Sequence, residues 1–212
     1  MFYHRSLTEI PEDKLINQLL SRGQALDRLL RIDGIDGIPD DGLIFERVDL
    51  CGSPRERQGD IDILICPPGS PERATAIQVK RFKVGPDAFH TGKPNKLQEF
   101  EKGAQQANML ADMGFWQVYL FAFVVVDSRA QNAGRISFSG PTPELRAVID
   151  QKISIQPLSG RVGLMTYELV QPMDDAPLRT GTGSISIKRR AEAIRQREAL
   201  TAWIASVMAA RA

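Results

Sequence analysis

The chain has 212 residues, of which 42% are hydrophobic and 25% are charged. That length suits one domain, or one domain with an extension, and the apolar content is sufficient for a buried core. The formal net charge of +1 gives no overall signal for nucleic acid, so such binding would have to depend on a local basic surface.

Histidine and cysteine are scarce in this sequence. Its cysteines are Cys51 and Cys66, and its histidines are His4 and His90. They cannot form a structural zinc site at any recognised spacing, and so few histidines argue against hydrolases that need a histidine base. We therefore expect any chemistry to use carboxylates, lysine and a hard divalent metal.

Neither the N-terminus nor the apolar runs have the composition of a membrane segment. Residues 1–14 are of mixed polarity, and the longest apolar run, 118–126, is too short to span a bilayer. We expect a cytoplasmic protein without membrane contacts.

Helix and strand patterns alternate through the first part of the chain. Leucines at near-helical spacing predict an amphipathic helix, and a loop rich in Gly, Asp and Pro follows it. Three strands come next, then a helix that ends at Gly114 and a buried central strand. The predicted ranges are 11–32 for the helix, 33–42 for the loop, 43–50, 60–66 and 75–82 for the strands, 96–114 for the second helix and 116–127 for the last strand. These strands are expected to form a mixed sheet between the two helices.

The pattern is weaker beyond Asp127. A loop with one short strand is expected over 128–143, a short helix over 142–151, a strand over 161–170 and a linker over 171–183. The tail, 184–212, is predicted to be one amphipathic helix with its cations concentrated in the first half. We therefore divide the chain into an α/β core, 1–127, and a C-terminal part, 128–212, that completes the domain.

Polar side chains interrupt the two most strand-like segments. In 60–66, a period of two places Asp60 and Asp62 on one face, and in 75–82 it places Gln78 and Lys80 on one face. If these strands form a hairpin, the four side chains meet across neighbouring strands. Asp62 and the side-chain carbonyl of Gln78 are suitable Mg²⁺ ligands, as is the backbone carbonyl of Val79. Lys80 would then lie beside a metal-bound water and stabilise charge on a phosphate.

These residues resemble the motif of the PD-(D/E)xK nuclease superfamily. The strand Gly59-Asp60-Ile61-Asp62 is similar to the family's G-[E/D]-I-D strand, and Gln78-Val79-Lys80 is similar to its Q-x-K variant in Mrr-type enzymes. The resemblance covers roughly residues 10 to 127. It implies a restriction-endonuclease-like mixed sheet flanked by helices, with a C-terminal helical extension. It further implies an endonuclease that hydrolyses DNA with Mg²⁺ or Mn²⁺ in defence, restriction or repair. RNA is not excluded as the substrate.

The resemblance also assigns roles to residues around the motif. Glu46 is similar in placement to an accessory acid, and Asp60 would support Asp62. Arg81 and Lys83 are expected beside a phosphate-binding surface, and Gln105 of the following helix is placed to touch the DNA backbone.

Three points stay open at this level. The four polar residues also suit an ordinary hairpin in which Asp60 or Asp62 pairs with Lys80. Gln78 replaces the family's more usual acid and removes a charge, so a non-catalytic nucleic-acid-binding or assembly subunit is an alternative. The tail's cations, among them Arg189, Arg190 and Arg197, either contact phosphates or form a solvated face. A third reading is that the tail docks on another subunit or a second copy through Trp203, Ile204 and Met208.

Overall fold

The computed structural model describes residues 6–11, 13–14, 16, 43–54, 59–91, 97–132, 141–154, 157–171 and 182–211. The predicted helix over 11–32 and the loop over 33–42 lie largely outside these residues.

A mixed sheet of six strands forms the centre of the fold, in the order β1-β2-β3-β4-β5-β6. The first three strands pair antiparallel, β4 and β5 run parallel to β3, and β6 is antiparallel to β5. The strands are β1 (Leu43–Asp49), β2 (Asp60–Cys66), β3 (Thr75–Val84), β4 (Gln117–Asp127), β5 (Val162–Gln171) and β6 (Thr182–Arg189). The predicted mixed α/β sheet is confirmed, including the antiparallel pairing of 60–66 with 75–82, and two further strands extend it.

Helices cover one face of this sheet. The helices are α1 (Pro86–Thr91), α2 (Leu97–Met113), α3 (Arg129–Asn132), α4 (Pro143–Ser154) and α5 (Glu198–Arg211). Helix α2 presents Phe100, Ala104, Ala107 and Ala111 to the sheet at helical spacing. These side chains form the first core cluster together with apolar residues of α4, of α5 and of the sheet face that the helices cover. None of the described helices is long and apolar enough to cross a membrane.

A second core cluster lies on the opposite face of the sheet. It contains Ile63, Ile77, Val79 and the aromatic side chains of β4 and β5, and Ile10 and Ile16 pack against it. All residues of β4 are buried. A parallel strand covered on both faces reads as a continuous apolar run, which explains the sequence of β4.

The side chains of β2 change faces at Asp62. Ile61 belongs to the first core cluster, whereas Ile63 belongs to the second. Regular alternation would place both isoleucines on one face, as the sequence predicted. Arg47 and Asp62 lie between the pairs Glu46↔Ile63 and Val48↔Ile61, and Arg47 has a left-handed φ of 46°. That conformation is uncommon for a residue with a side chain. We attribute the change of faces to this irregularity.

The prediction of one basic helix over 184–212 is wrong in its first half. Residues 182–189 form β6, residues 190–197 are irregular, and α5 begins at Glu198. The Ser-Ile-Ser-Ile alternation of 184–187 has the strand period, and the edge of β5 provides its partner. The cations of this segment therefore do not form one helical face.

Candidate functional site

The candidate site lies where β2 and β3 separate. The two strands pair only from Ile63↔Ile77 to Ile65↔Thr75. At the next position, the Val79 backbone N–H donates to Oδ2 of Asp62 at 2.7 Å. Nε2 of Gln78 donates to the same oxygen. The Asp62 carboxylate therefore takes the place of the next ladder bond and closes the gap between the strands.

Gln78 keeps one oxygen buried without a partner. Gln78 is 1% exposed, and its Oε1 accepts no hydrogen bond from any described residue. Because Asp62 is an acceptor, the amide must turn its nitrogen toward that carboxylate and its oxygen away. A buried polar atom left unpaired costs about 1–3 kcal/mol. Such an oxygen calls for an explanation, and a bound water or metal ion would provide one.

Lys80 extends from the same face of β3 as Gln78. Both residues alternate with Ile77 and Val79, which lie in the second core cluster, so both point toward α2. Lys80 is half-buried, and its stem lies against Gly103 of α2. Within the part of the chain that the structure describes, Lys80 forms no ion pair with Asp60 or Asp62. A simple cross-strand ion pair therefore does not explain these residues.

The oxygen atoms available at this site suit a Mg²⁺ ion that keeps several of its waters better than an ion enclosed by protein ligands. Asp62, Oε1 of Gln78 and the Val79 carbonyl are hard oxygen donors. In a strand, the N–H and C=O of one residue point to the same edge, so the Val79 carbonyl is expected to face β2 as its N–H does. No group of three or more His, Cys, Asp or Glu able to hold a metal occurs among the described residues. Asp62 is thus the carboxylate among the three oxygen donors, and waters would complete the coordination of the ion.

The two other predicted acids lie away from this set. Glu46 is paired with Ile63, and directly opposed residues share a face, so Glu46 points to the side of the second core cluster. Asp60 is opposed by Asp49 and precedes Ile61, which faces the helices. By alternation, Asp60 points away from them. The predicted shared face for Asp60 and Asp62 is wrong, because the alternation breaks between these residues.

The cations predicted beside the motif also lie elsewhere. Arg81 is buried, and its Nη1 donates to the Ile10 carbonyl on the face opposite Lys80. Lys83 is half-buried and has the same strand parity as Arg81. Gln105 is exposed on α2, next to the buried Ala104. The predicted phosphate contacts of Arg81, Lys83 and Gln105 are thus not supported by their positions.

The predicted basic residues of the tail are dispersed. Arg189 donates to the carbonyls of Val162 and Ser159, both at 2.9 Å, and thereby fastens the end of β6. Arg190 is exposed in the irregular segment. Arg197 is exposed and lies against Gly114.

The apolar side of α5 packs within the molecule. Ile204 is fully buried, and Trp203 and Met208 pack against the first core cluster. Trp203 and Met208 are only partly buried, so docking of this helix on another subunit stays a prediction.

Sequence reasoning missed two positions at the site. Gly103 was identifiable in principle, because an isolated glycine within a helical pattern usually has a packing reason. Arg47 carried no sequence signal, since a left-handed conformation is normally signalled by Gly or Asn. Its position between the strands becomes visible only from their pairing.

Comparison with known proteins does not extend these observations. No protein-family model matches this sequence, and no curated protein matches it.

Proposed function

We propose that this protein is a Mg²⁺-dependent endonuclease that hydrolyses phosphodiester bonds of DNA, with Mn²⁺ as an alternative ion. The observation that carries the proposal is the unpaired buried Oε1 of Gln78, a residue whose Nε2 donates to the Asp62 carboxylate. Lys80, on the same face, supplies the positive charge that a phosphodiester requires. The mixed sheet with its helices adds support from the fold, because the resemblance implies a mixed sheet flanked by helices.

Each residue has a distinct role in this proposal. Asp62 and the Gln78 and Val79 carbonyl oxygens hold the ion, and the Gln78 amide nitrogen orients the carboxylate. A bound Mg²⁺ supplies Lewis-acid polarisation of the phosphate and a more acidic water. Lys80 orients the attacking water and stabilises the charge on the non-bridging oxygens. As the water oxygen bonds to phosphorus, the bond to the leaving sugar oxygen breaks, the water's proton passes to solvent, and solvent protonates the leaving oxygen.

The test is a cleavage assay on plasmid and short-duplex DNA, with RNA alongside, in Mg²⁺, Mn²⁺ or EDTA. Lys80→Met keeps the stem and removes the charge, and we expect it to lower the rate about 10²-fold or more. Lys102→Met, an exposed lysine on α2, is the matched control and should cleave normally. Gln78→Glu should preserve or raise cleavage and tighten metal binding, because it adds a charge at the ion. Activity that survives EDTA, or equal activity in the two lysine variants, would contradict the mechanism.

A second candidate is a non-catalytic nucleic-acid-binding or assembly subunit. It is favoured by the fact that Oδ2 of Asp62 already accepts two hydrogen bonds within the chain. A Mg²⁺ titration by calorimetry separates the two functions. DNA binding without metal binding or cleavage would support the second.

A further inference from the structure

Gly103 occupies a sheet-facing position in the middle of α2. A Cβ built at this position would overlap Cγ of Lys80 and lie 3.0 Å from its Cε and 3.1 Å from its Cδ. Real Cβ atoms essentially never come as close to another heavy atom as this Cβ would come to Cγ, so one of the two would have to move. The stem of Lys80 therefore occupies the space in which a side chain at 103 would lie.

The helix itself gives no reason for glycine here. Glycine is a poor residue for a helix interior, and alanine is the best. The neighbouring sheet-facing positions of α2 carry Ala104 and Ala107, so small apolar side chains suit this interface. Gly103 also lacks the positive φ that would favour glycine. The remaining explanation for a glycine at position 103 is the Lys80 side chain, which passes between β3 and α2.

We propose that Gly103 is a positioning residue that leaves a channel for the Lys80 stem and so fixes where its ammonium emerges on the Gln78 face. A lysine has many rotamers, and confinement of the stem selects among them before any ligand binds. This confinement of the Lys80 stem by α2 does not depend on the function of the site. Its effect on cleavage rests on the proposed function.

The contact is tested by a double-mutant cycle on thermal stability. Gly103→Ala should lower the melting temperature of the wild type, because the new methyl group collides with the stem. In a Lys80→Ala background the space is vacant, so Gly103→Ala should raise the melting temperature through its better helix propensity. Gly160→Ala, where a Cβ meets nothing within 4 Å, is the control and should act equally in both backgrounds. Equal shifts for Gly103→Ala in both backgrounds would overturn the proposal.

The positioning is tested by the reaction of Lys80 with an amine-specific reagent, read by mass spectrometry. Gly103→Ala should change the labelling rate of Lys80 severalfold and leave that of Lys102 unchanged. An unchanged Lys80 rate would overturn the positioning role, whatever the enzyme activity. Where the wild type cleaves DNA, Gly103→Ala should lower kcat and leave the Mg²⁺ dependence unchanged, since the ion's donors are on other residues. A wild type without cleavage would defeat the proposed function, while the melting and labelling results would still decide the role of Gly103.

Discussion

Asp62 shows how one side chain can end a strand pairing. Its carboxylate receives the Val79 N–H that a regular β2 backbone would receive, and it also holds the Gln78 amide. The opposing residue of β1, Arg47, has a left-handed φ of 46°. Strained residues of this kind cost of order 1–3 kcal/mol and cluster at functional sites. The irregularity in both strands is therefore centred on the residue that the motif singled out.

Removal of the Asp62 carboxylate should destabilise the fold. Asp62→Ala leaves the Val79 N–H and the Gln78 amide nitrogen without this acceptor, and each buried donor left unpaired costs about 1–3 kcal/mol. Asp62→Asn keeps one acceptor oxygen, so its loss should be smaller. Asp60→Ala, which removes a half-buried carboxylate outside these hydrogen bonds, is the control and should cost less than Asp62→Ala. Urea unfolding measures all three, and a loss for Asp60→Ala as large as that for Asp62→Ala would contradict this reading.

At the scale of elements, an extended segment connects β6 to α5. The Glu192 N–H donates to the Arg161 carbonyl at 3.1 Å, and the Ile194 N–H donates to the Trp116 carbonyl at 3.0 Å. The segment thus crosses the beginnings of β5 and β4. Near its end, Gln196 is buried and accepts a hydrogen bond from the Trp116 N–H at 3.3 Å. The chain uses this crossing to bring α5 back onto the first core cluster.

Gln196 is expected to fix the docking of α5. Its Nε2 donates to the Pro71 carbonyl at 2.7 Å and to Oγ1 of Thr201 at 3.0 Å. Gln196→Ala leaves the partly buried Pro71 carbonyl and the Trp116 N–H without these partners, for a loss of about 1–3 kcal/mol. Gln196→Glu cannot donate to Pro71 and should also destabilise, whereas Arg195→Ala, at an exposed neighbour, should be nearly neutral. Thermal denaturation followed by circular dichroism reports these losses. Unchanged melting in both Gln196 variants would show that the contacts contribute nothing.

At the scale of the whole molecule, the buried carboxylate of Asp127 fastens the N-terminal segment to the sheet. Oγ of Ser6 donates to Oδ2 of Asp127 at 2.6 Å, and Nη2 of Arg129 donates to the same oxygen at 2.8 Å. Burial alone would raise the pKa of the Asp127 carboxyl. The hydrogen bonds from Arg129 and Ser6, together with the guanidinium charge, outweigh burial and hold this pKa below its usual value. The folded state therefore favours the ionised form.

Asp127 is expected to contribute to acid unfolding. A carboxyl whose folded pKa is lowered stabilises the protein above its unfolded pKa, near 3.8 here, and this stability is lost as pH falls through the folded pKa. The difference in unfolding free energy between wild type and Asp127→Asn should thus be constant from about pH 5 upward and shrink below about pH 4.

Glu168 is a carboxyl whose pKa shifts in the opposite direction to that of Asp127. Burial raises its pKa despite the Arg146 guanidinium, so its stabilising contribution is present at low pH and is lost as pH rises through the folded pKa. Urea unfolding across this pH range measures both variants, Asp127→Asn and Glu168→Gln. Parallel pH profiles for the wild type and Asp127→Asn would contradict the assignment.

The sequence by itself determined the order and type of most described elements, because short-range periodicity reflects burial on one side or both. The period of two identified β1, β2 and β3, the continuous apolar run identified β4, and the helical period identified α2. The same alternation placed Gln78 and Lys80 on one face of β3, as found. These properties depend on neighbours a few residues away, so they can be read from the chain.

Tertiary structure alone decided which polar residues meet. Asp60 and Glu46 lie outside the predicted site because the side-chain alternation of β1 and β2 breaks at Arg47 and Asp62. Neither Arg47 nor Asp62 is a residue type that indicates such a break from sequence. Arg81 lies on the face of β3 opposite Gln78, and on that opposite face its guanidinium donates to the Ile10 carbonyl. The cationic tail divided into β6 and α5 because the free edge of β5 offers a strand partner. Each outcome depends on a contact between segments distant in sequence, and local periodicity contains no information about such contacts.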